Sequence, residues 1–302
     1  MAEFNHYSVL LEEAIEGLCI KPDGTYIDGT AGGGGHSLEI AKRLENGRLY
    51  CVDQDGDAIA AATERLKDHL SKVTFVRDNF ENIGNIDTEG GIDGLLLDLG
   101  VSSYQLDTAE RGFSYMQDAP LDMRMNREAT FSAYNVVNDY DEEELIRVLR
   151  DWGEEKFARK IAHNIIAARP VSTTGELVEI VKRSVPKTGD AHPEKRTFQA
   201  VRIETNRELD IIEPTIEKAA EMLNPGGRIC IITFHSLEDR IVKQAFNKLS
   251  SGCTCPPDFP VCVCGNKPKG KVVTRKPILP GEKELSENSR SKSAKLRIFE
   301  KI

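Results

Sequence analysis

Short, nearly continuous apolar runs recur along the chain, and such runs are typical of strands that are buried on both faces of a sheet. They predict seven β-strands, at Thr25–Ile27, Arg48–Val52, Val73–Val76, Ile92–Leu97, Arg228–Phe234, Val272–Thr274 and Leu296–Phe299. The first three alternate with helical patterns at 37–44 and 57–69, so we expect these strands to lie parallel. The pattern predicts an α/β fold built on a mostly parallel sheet.

The alternation breaks after the fourth strand. More than a hundred residues separate Asp98 from the strand at Arg228, far more than one crossover helix needs. Apolar residues in this stretch recur at helical spacing, in Asp141–Leu149, at Phe157, Ile161 and Ile165, and at Leu177, Val181 and Val185. We therefore predict an inserted all-α domain at 106–205, mounted on a sheet domain that comprises 1–105 and 206–302.

A glycine-rich loop follows the first strand, with five glycines in the seven positions from Gly29 to Gly35. Glycine tolerates positive φ and has no Cβ, so such a loop can turn sharply and come close to a ligand. The second strand ends in Asp53, where an acid can accept hydrogen bonds from both hydroxyls of a ribose. Strand, glycine turn, helix, strand and acid together predict a site for a nucleotide-like cofactor.

Asp28, directly before the loop, favours one class of cofactor. The spacing Gly-x-Gly-x-x-Gly of dinucleotide sites is obtained here only by selecting among the glycines. A carboxylate at this position also disfavours a pyrophosphate. S-adenosylmethionine carries a sulfonium, an ammonium group and a ribose but no phosphate, and it fits the pattern. A purely structural turn is the alternative.

Three residues after the third and fourth strands are further candidates for the site. Phe80 could pack on an adenine ring or belong to the ordinary core. Asp98 ends the fourth strand, where an acid would face the transferred methyl group; the alternative is a loop acid that caps a backbone group. Gln105, just beyond, could hold either ligand.

The charge distribution permits RNA binding without requiring it. A net charge of −9 argues against a simple polyanion binder. Residues 267–297, however, hold ten basic residues against three acidic ones, and residues 182–202 hold six against two. Solvated surface is the alternative interpretation of both segments. No secretory signal or membrane span is recognised, so we expect a cytoplasmic protein.

The seven cysteines form two groups. Cys19, Cys51 and Cys230 lie in apolar surroundings and are expected in the core. The other four form two Cys-x-Cys pairs in a Pro-rich loop, at Cys253, Cys255, Cys262 and Cys264. Zinc ligands usually have at least two residues between them, so free thiols are favoured over a zinc site, and we predict no metal.

Eight segments resemble the RsmH (MraW) family of bacterial methyltransferases. They are His6–Leu10, Asp28–Ser37, Leu97–Ser103, Glu110–Ser114, Leu121–Met125, Gly153–Phe157, Arg196–Ala200 and Phe234–Arg240. The resemblance runs from His6 to Arg297, nearly the whole chain. The glycine loop is common to many methyltransferases, whereas Leu121–Met125 and Phe234–Arg240 are specific to this family.

The resemblance implies a class I S-adenosylmethionine-dependent methyltransferase fold, Rossmann-like, with an inserted all-α domain. It implies that the chain methylates the N4 amine of a decoding-centre cytidine in 16S rRNA, with the small ribosomal subunit as partner and no membrane. The family's cofactor contacts fall on Gly33, Gly34, Gly35, His36, Asp53, Phe80, Asp98 and Gln105. The inserted domain would recognise the RNA, and a homodimer is left open.

The predicted chemistry suits Asp98. A cytosine exocyclic amine is a poor nucleophile, so an enzyme must align it and accept hydrogen bonds from its protons. Asp98 is therefore the predicted catalytic acceptor. Methylation at C5 would need a cysteine nucleophile, and none lies between Cys51 and Cys230. His235 and its neighbours remain without an assigned role.

Two other functions stay open at this point. One is a non-catalytic module that binds S-adenosylmethionine and serves RNA binding or ribosome assembly. An intact Asp98 and an intact glycine loop argue against it. The other is a methyltransferase for a small molecule or a protein, which would need neither the basic segments nor so large an insertion.

Overall fold

The chain divides into two compact units. The computed structural model describes residues 8–186, 192–252, 261, 264–265 and 267–302. One unit, here the sheet unit, comprises Met1–Gly100 and Leu209–Ile302, and the other, the helical unit, is Val101–Glu208. The sequence-based boundaries at 106 and 205 differ from these by five and three residues.

The regular elements alternate as the apolar pattern predicts over the first hundred residues. The strands are β1 (Thr25–Asp28), β2 (Arg48–Asp53), β3 (Val73–Arg77), β4 (Ile92–Asp98), β5 (Leu223–Thr233), β6 (Gly270–Val272) and β7 (Lys295–Lys301). The α-helices are α1 (Leu11–Leu18), α2 (Gly35–Arg43), α3 (Gly56–Arg65), α4 (Ser103–Asp107), α5 (Ala133–Asp139), α6 (Glu142–Asp151), α7 (Ala158–Ala168), α8 (Thr174–Ser184), α9 (Glu194–Asn206), α10 (Ile212–Met222), α11 (Ser236–Ser250) and α12 (Glu282–Glu287). No helix among the described residues is long and apolar enough to cross a bilayer.

The sheet has seven strands in the order β3-β2-β1-β4-β5-β7-β6. Strands β1 to β5 are parallel, whereas β7 is antiparallel to both β5 and β6. This arrangement confirms the predicted class I methyltransferase fold with an inserted all-α domain. The strand order reverses beside β1, and ligands of open parallel sheets bind at the carboxyl ends of the strands near such a reversal.

The register brings the ends of the central strands together. Asp28 pairs with Cys51 of β2 and with Leu96 of β4, and Asp98 pairs with Ile232 of β5. Leu95, Leu96 and Leu97 are fully buried, which explains their continuous apolar run: parallel strands are covered by helices on both faces. The residues that follow the strands therefore meet at one edge.

The ends of β5 and β6 differ from the prediction. β5 begins at Leu223 instead of Arg228, because Leu223 pairs with Ile92 before the regular ladder starts at Gly94. Residues 224–227 bulge out between these two pairs, and Gly226 takes a φ of +78° there. β6 lies two residues earlier than predicted.

The helical unit has its own apolar core. The predicted spacing is confirmed at Ile161 and Ile165 of α7 and at Leu177 of α8, which are fully buried in it, whereas Phe157 is exposed. Glu204 of α9 accepts three hydrogen bonds, from Tyr140 Oη at 2.9 Å, Arg147 Nη2 at 2.6 Å and Trp152 Nε1 at 2.6 Å. These bonds connect α9 to α6 and to the residues that flank it.

One of the cysteine predictions is wrong. Cys51 and Cys230 are buried as expected, but Cys19 is exposed. Cys19 follows α1 with a left-handed φ of 48°, and Arg228 Nη1 donates a hydrogen bond to its Sγ at 2.8 Å. The turn directs its side chain away from the core. Cys264 is exposed, whereas Cys253, Cys255 and Cys262 lie outside the described residues, so the absence of a metal there stays a prediction.

We predict that Ile161→Ala lowers the free energy of unfolding of the helical unit by about 2–5 kcal/mol, because it leaves a cavity among fully buried side chains. Ile161→Val should cost only about 0.5–1.5 kcal/mol. Urea unfolding followed by the fluorescence of Trp152, the single tryptophan, measures both. Equal costs for the two variants would contradict the packing described.

Candidate functional site at the carboxyl edge of the sheet

The glycine loop is fastened to the strands on both sides of β1. The N–H of Gly29 donates to Leu96 O of β4, and the N–H of Ala31 donates to Val52 O of β2, each at 2.9 Å. Gly32 and Gly34 then take φ values of +50° and +77°, which other residues rarely adopt. The loop therefore crosses the end of β1 in one fixed path and leads into α2.

Asp53 holds the loop from the neighbouring strand. Its Oδ2 accepts the N–H of Gly32 at 2.8 Å, and its Oδ1 accepts the N–H of Asp55 at 2.9 Å. Asp55 in turn caps α3 through the N–H of Asp57 at 3.1 Å. The carboxylate predicted to bind a ribose thus has a fixed orientation at the sheet edge.

The glycines of the loop differ in what surrounds them. A Cβ on Gly34 would lie 2.8 Å from Leu66 Cδ1 and 3.1 Å from Ala62 Cα, so this glycine permits the packing of α2 on α3. A Cβ on Gly35 would collide with the Ser8 hydroxyl. A Cβ on Gly33 would meet no atom within 4 Å. Gly33 consequently borders open space, as expected where a ligand approaches the backbone.

Asp28 has a structural role that the sequence argument did not foresee. Its carboxylate is buried and accepts hydrogen bonds from Ser37 Oγ at 2.5 Å and from the N–H of Thr30 at 3.3 Å. Burial raises the pKa of Asp28 to about 6, although these two hydrogen bonds act in the opposite direction. The carboxylate supports the loop from within, so the argument that it faces a cationic ligand is corrected.

Asp98 is the acid whose carboxylate remains available at this edge. Its N–H donates to Thr30 Oγ1 at 2.6 Å, which fixes the end of β4 against the glycine loop. About 25% of its side chain is exposed, yet Oδ1 is buried and has no hydrogen-bond partner among the described residues. A buried acceptor without a donor is costly, and this one lies where a ligand is expected.

The surroundings of Asp98 disfavour its charged form. Burial contributes most, followed by the carboxylates of Asp28, Glu238 and Glu284, and together they raise the pKa of Asp98 well above 3.8. Glu284 of α12 comes close because its Oε1 accepts the N–H of Leu10 at 3.0 Å. A cation or a hydrogen-bond donor bound here would relieve this repulsion.

His36 lies in the first turn of α2, beside Asp98. Its ring is buried, with Nε2 3.1 Å from the carbonyl oxygen of Val9 and Nδ1 3.8 Å from Asp98 Oδ2. A carbonyl only accepts, so Nε2 carries the hydrogen in this contact. The imidazole thereby connects the segment before α1 to the sheet edge.

Phe80 lies against the start of the glycine loop. A Cβ built on Gly29 would be 3.3 Å from Phe80 Cβ. Phe80 itself is only partly buried. Asn79 caps the short 3₁₀ turn that begins at Phe80 by accepting the N–H of Glu81 at 3.0 Å. Phe80 therefore borders the same edge as Gly33 and Asp53.

Gln105 belongs to the helical unit. It is buried, and its Oε1 accepts the N–H of Ser102 at 3.0 Å, while its own N–H donates to Ser102 Oγ at 3.1 Å. These two bonds form a capping box at the start of α4. Its predicted contact with the cofactor stays a prediction. The other seven predicted residues all lie in the sheet unit.

Thr30 and Ser37 are site residues that the sequence argument missed. Thr30 bonds to both Asp28 and Asp98, and Ser37 bonds to Asp28. The signal was present, because hydroxyl side chains that flank a glycine loop often accept or donate bonds to nearby backbone and carboxylate groups. The sequence could not show that Thr30 lies beside the end of β4, since that position depends on how the strands pair.

The segment Phe234–Arg240 now has a structural explanation. Glu238 is buried, and its Oε2 accepts the N–H groups of Phe234 at 2.7 Å and His235 at 3.2 Å. With the Glu238 N–H directed at His235 Nδ1, this is a capping box at the start of α11. A His-x-x-Glu pattern before a helical run could have indicated it.

Asp239 connects α11 to β7. Arg297 Nε donates to its Oδ1 at 2.6 Å, and Lys295 Nζ lies 3.3 Å from its Oδ2. Burial acts to raise the pKa of Asp239, but the hydrogen bond and charge of Arg297 hold it below its usual value. Both acids of this segment therefore stabilise the sheet unit itself.

Two other segments of the resemblance stabilise the helical unit. Arg111 is buried and donates through Nη2 to the carbonyl oxygens of Arg124 at 2.9 Å and Met125 at 3.0 Å. Arg124 forms a two-pronged ion pair with Asp122, with both N···O distances at 2.7 Å. Met123 between them takes a φ of +56°. These contacts fix an irregular loop.

Comparison with known proteins gives the same family across the chain. The family model described as "MraW methylase family" matches residues 3–302. The "Ribosomal RNA small subunit methyltransferase H" of Lachnospira eligens is 60% identical, and the match covers 99% of this chain and 98% of that protein. The protein of the same name from Clostridium botulinum (strain Loch Maree / Type A3) is 59% identical, with 99% and 100% covered.

A "putative rRNA-methylase" from Clostridium thermocellum aligns at a TM-score of 0.48 and 13% identity, and the alignment covers 99% of this chain and 100% of that chain.

We predict that the buried Asp28 makes stability depend on pH. Its pKa of about 6 in the folded protein exceeds the ordinary 3.8, so the folded state binds more protons between these values. The free energy of unfolding should therefore fall as pH rises from about 4 to about 6, by roughly 2–3 kcal/mol.

Urea unfolding of the parent and of Asp28→Asn at pH 4 to 8 measures this effect. The Asn variant should lack that part of the pH dependence, and Asp68→Asn, an exposed acid of the same unit, should keep it. Parallel pH profiles for the parent and Asp28→Asn would refute the assignment.

Proposed function

The chain belongs to the MraW methylase family, and on this premise we propose that it methylates the 16S rRNA of the small ribosomal subunit, at the N4 amine of a decoding-centre cytidine. Its cofactor is S-adenosylmethionine. The observation that carries the proposal is Asp98 Oδ1, an acceptor that no described residue bonds, beside an open glycine loop in a chain about 60% identical to proteins named for rRNA methylation.

The sheet edge fits this cofactor. When bound, S-adenosylmethionine supplies an electrophilic methyl group on a cationic sulfur. The acids around Asp98 favour a cation, Gly33 borders open space, and Asp53 presents a fixed carboxylate. The residues of the sheet unit that would hold it are Gly33, Gly34, Gly35, His36, Asp53, Phe80 and Asp98. Phe80 would offer an aromatic surface to the adenine.

Asp98 is the residue we assign to the reacting amine. A cytosine N4 amine donates hydrogen bonds, and Asp98 Oδ1 is an acceptor that has no donor among the described residues. Holding the amine at a fixed acceptor aligns its lone pair, and the amine must also lose one proton during methylation. Thr30 keeps the acceptor in place by fixing the backbone of Asp98. Asp98 can take that proton because its surroundings favour the neutral form.

Exposed cations of the C-terminal region support an RNA substrate. Some basic residues of segment 267–297 are used internally: Lys271 contacts Glu300 at 2.6 Å, and Lys295 and Arg297 bind Asp239. Others of that segment are exposed, namely Lys267, Arg275, Lys276, Lys283 and Lys292. The exposed group is the part of the segment that can neutralise phosphates. A ribosomal substrate also agrees with the predicted cytoplasmic location.

Transfer of labelled methyl groups tests the proposal. The protein is incubated with labelled S-adenosylmethionine and with small subunits or their RNA, and the labelled nucleotide is located by nuclease digestion and mass spectrometry. We expect N4-methylcytidine at one site. Label at C5 or on a ribose would exclude the N4 assignment. Cofactor binding without any transfer would favour the non-catalytic assembly module.

We predict that Asp98→Ala abolishes methyl transfer, with a loss on the order of 10²–10⁴-fold in kcat, because the amine loses its acceptor. Cofactor affinity, measured by calorimetry, should fall much less. A similar loss in both quantities would make Asp98 a binding residue only. Asp68→Ala, an exposed acid of the same unit, serves as the control.

The raised pKa of Asp98 also predicts a pH profile. The group must be ionised to accept a proton, so activity should rise as pH rises through its pKa in the free protein. When the pH is lowered, kcat/KM for S-adenosylmethionine should therefore begin to fall at a pH well above 3.8. An acid limb near pH 4 would contradict the described burial of Asp98.

Gly33 and Gly34 should respond differently to alanine. The methyl group added by Gly33→Ala would have no protein atom within 4 Å, so the variant should fold normally. It should weaken cofactor binding at least tenfold, because the methyl group fills the space through which the cofactor approaches the loop. Gly34→Ala should instead cost more than about 1–2 kcal/mol of stability, because its φ is +77° and its Cβ would also lie 2.8 Å from Leu66 Cδ1. Calorimetry and urea unfolding of both variants separate the two effects; unchanged binding by Gly33→Ala would place the cofactor elsewhere.

A further inference from the structure

A basic and aromatic surface of the helical unit remains without a role. It forms where the turn between α6 and α7 meets the first turn of α9. Arg196 Nη1 donates to Glu154 O at 3.5 Å, and Gln199 Nε2 donates to Trp152 O at 3.0 Å. We call it the 156–196 patch, and its members are Lys156, Phe157, Arg159, Lys160, Lys195 and Arg196.

The five cations of the 156–196 patch are all exposed, and none forms an ion pair with another residue that the structure describes. Two of the three acids in these segments face inward. Glu155 is buried and accepts the N–H of Phe157 at 2.9 Å, and Glu194 is only 2% exposed. Glu154 is the exposed acid within these two segments. The local excess of positive charge stands out in a chain of net charge −9.

Phe157 supplies an aromatic ring among these charges. It is 39% exposed, although the helical spacing with Ile161 suggested a core position. Its backbone is fixed on both sides: its N–H donates to Glu155, and its carbonyl accepts the N–H of Ile161 at 3.0 Å. The backbone of Phe157 is therefore fixed at a point where its ring reaches the surface.

We propose that the 156–196 patch binds a single-stranded segment of RNA, with a base stacked on Phe157 and phosphates at the surrounding lysines and arginines. Aromatic rings within positive surfaces are how proteins bind unpaired nucleotides, since every base has a face that can stack. This inference rests on the proposed function and adds where the RNA is held. It gives a role to the segments 153–157 and 196–200, for which the cofactor site offers none.

Salt-dependent binding tests the proposal. The probe is a fluorescent 20-nucleotide single-stranded RNA of mixed sequence, titrated with the full chain at several salt concentrations. Replacing Lys156, Arg159 and Lys195 with Gln should reduce the slope of log K against log salt by about 2, because each neutralised phosphate of a single strand contributes about 0.7 to it. Arg196 is kept because it contacts Glu154 O. Phe157→Leu should weaken binding roughly tenfold at constant slope.

A matched control separates this surface from charge in general. Gln at Arg48, Lys218 and Lys243 removes the same charge from exposed positions of the sheet unit and should leave the slope nearly unchanged. Urea unfolding followed by circular dichroism, which reports on both units, checks that each variant folds. Equal slopes for patch and control variants, or full binding by Phe157→Leu, would overturn the proposal.

The same variants distinguish this inference from the proposed function. Normal binding of the RNA probe with weaker binding of small ribosomal subunits would mean a protein contact, and it would also overturn the RNA assignment. Methyl transfer is measured in parallel with the unaltered chain. If that chain binds RNA through the patch but transfers no methyl group, the proposed function fails while the patch stands.

Discussion

The burial of carboxylates at one edge of a parallel sheet is the constraint on which this site depends. Asp28 and Asp98 end neighbouring strands, and Thr30 bonds to both of them across the glycine loop. Ser37 offsets the cost of burying Asp28, but Asp98 Oδ1 has no such partner among the described residues. The fold thus keeps one acceptor in a costly state, and a bound donor or cation would relieve that cost.

The two units divide the work. The sheet unit carries the glycine loop, Asp53 and Asp98. Its family-specific segment at 234–240 caps α11 and binds β7 through the Asp239–Arg297 ion pair. The helical unit builds a separate core, in which Glu204 joins three donors and Arg111 fixes an irregular loop. Family-specific residues therefore often serve the scaffold, because a precise site needs rigid support.

Net charge is a poor guide to the partner of this chain. Several of the basic residues that the sequence suggested for RNA form ion pairs within the protein, as Arg297 does with Asp239 and Lys271 with Glu300. Conversely, the 156–196 patch combines cations from segments that lie some 35 residues apart in sequence. Neutralised and available charges can be told apart only once their neighbours are known, because an ion pair offers little to a phosphate.

The sequence by itself predicted seven strands, the parallel arrangement of the first three, the helical insertion and the candidate residues after the strands, but not the strand order or the antiparallel β7. Apolar runs and glycines act locally, so β1, β4 and the loop at 29–35 could be predicted from them. Tertiary structure decided the rest: that Asp28 faces inward, that Cys19 and Phe157 are exposed, and that Thr30 joins the Asp28 carboxylate to the backbone N–H of Asp98. These outcomes depend on strand register and helix packing, which bring together residues that no local pattern connects.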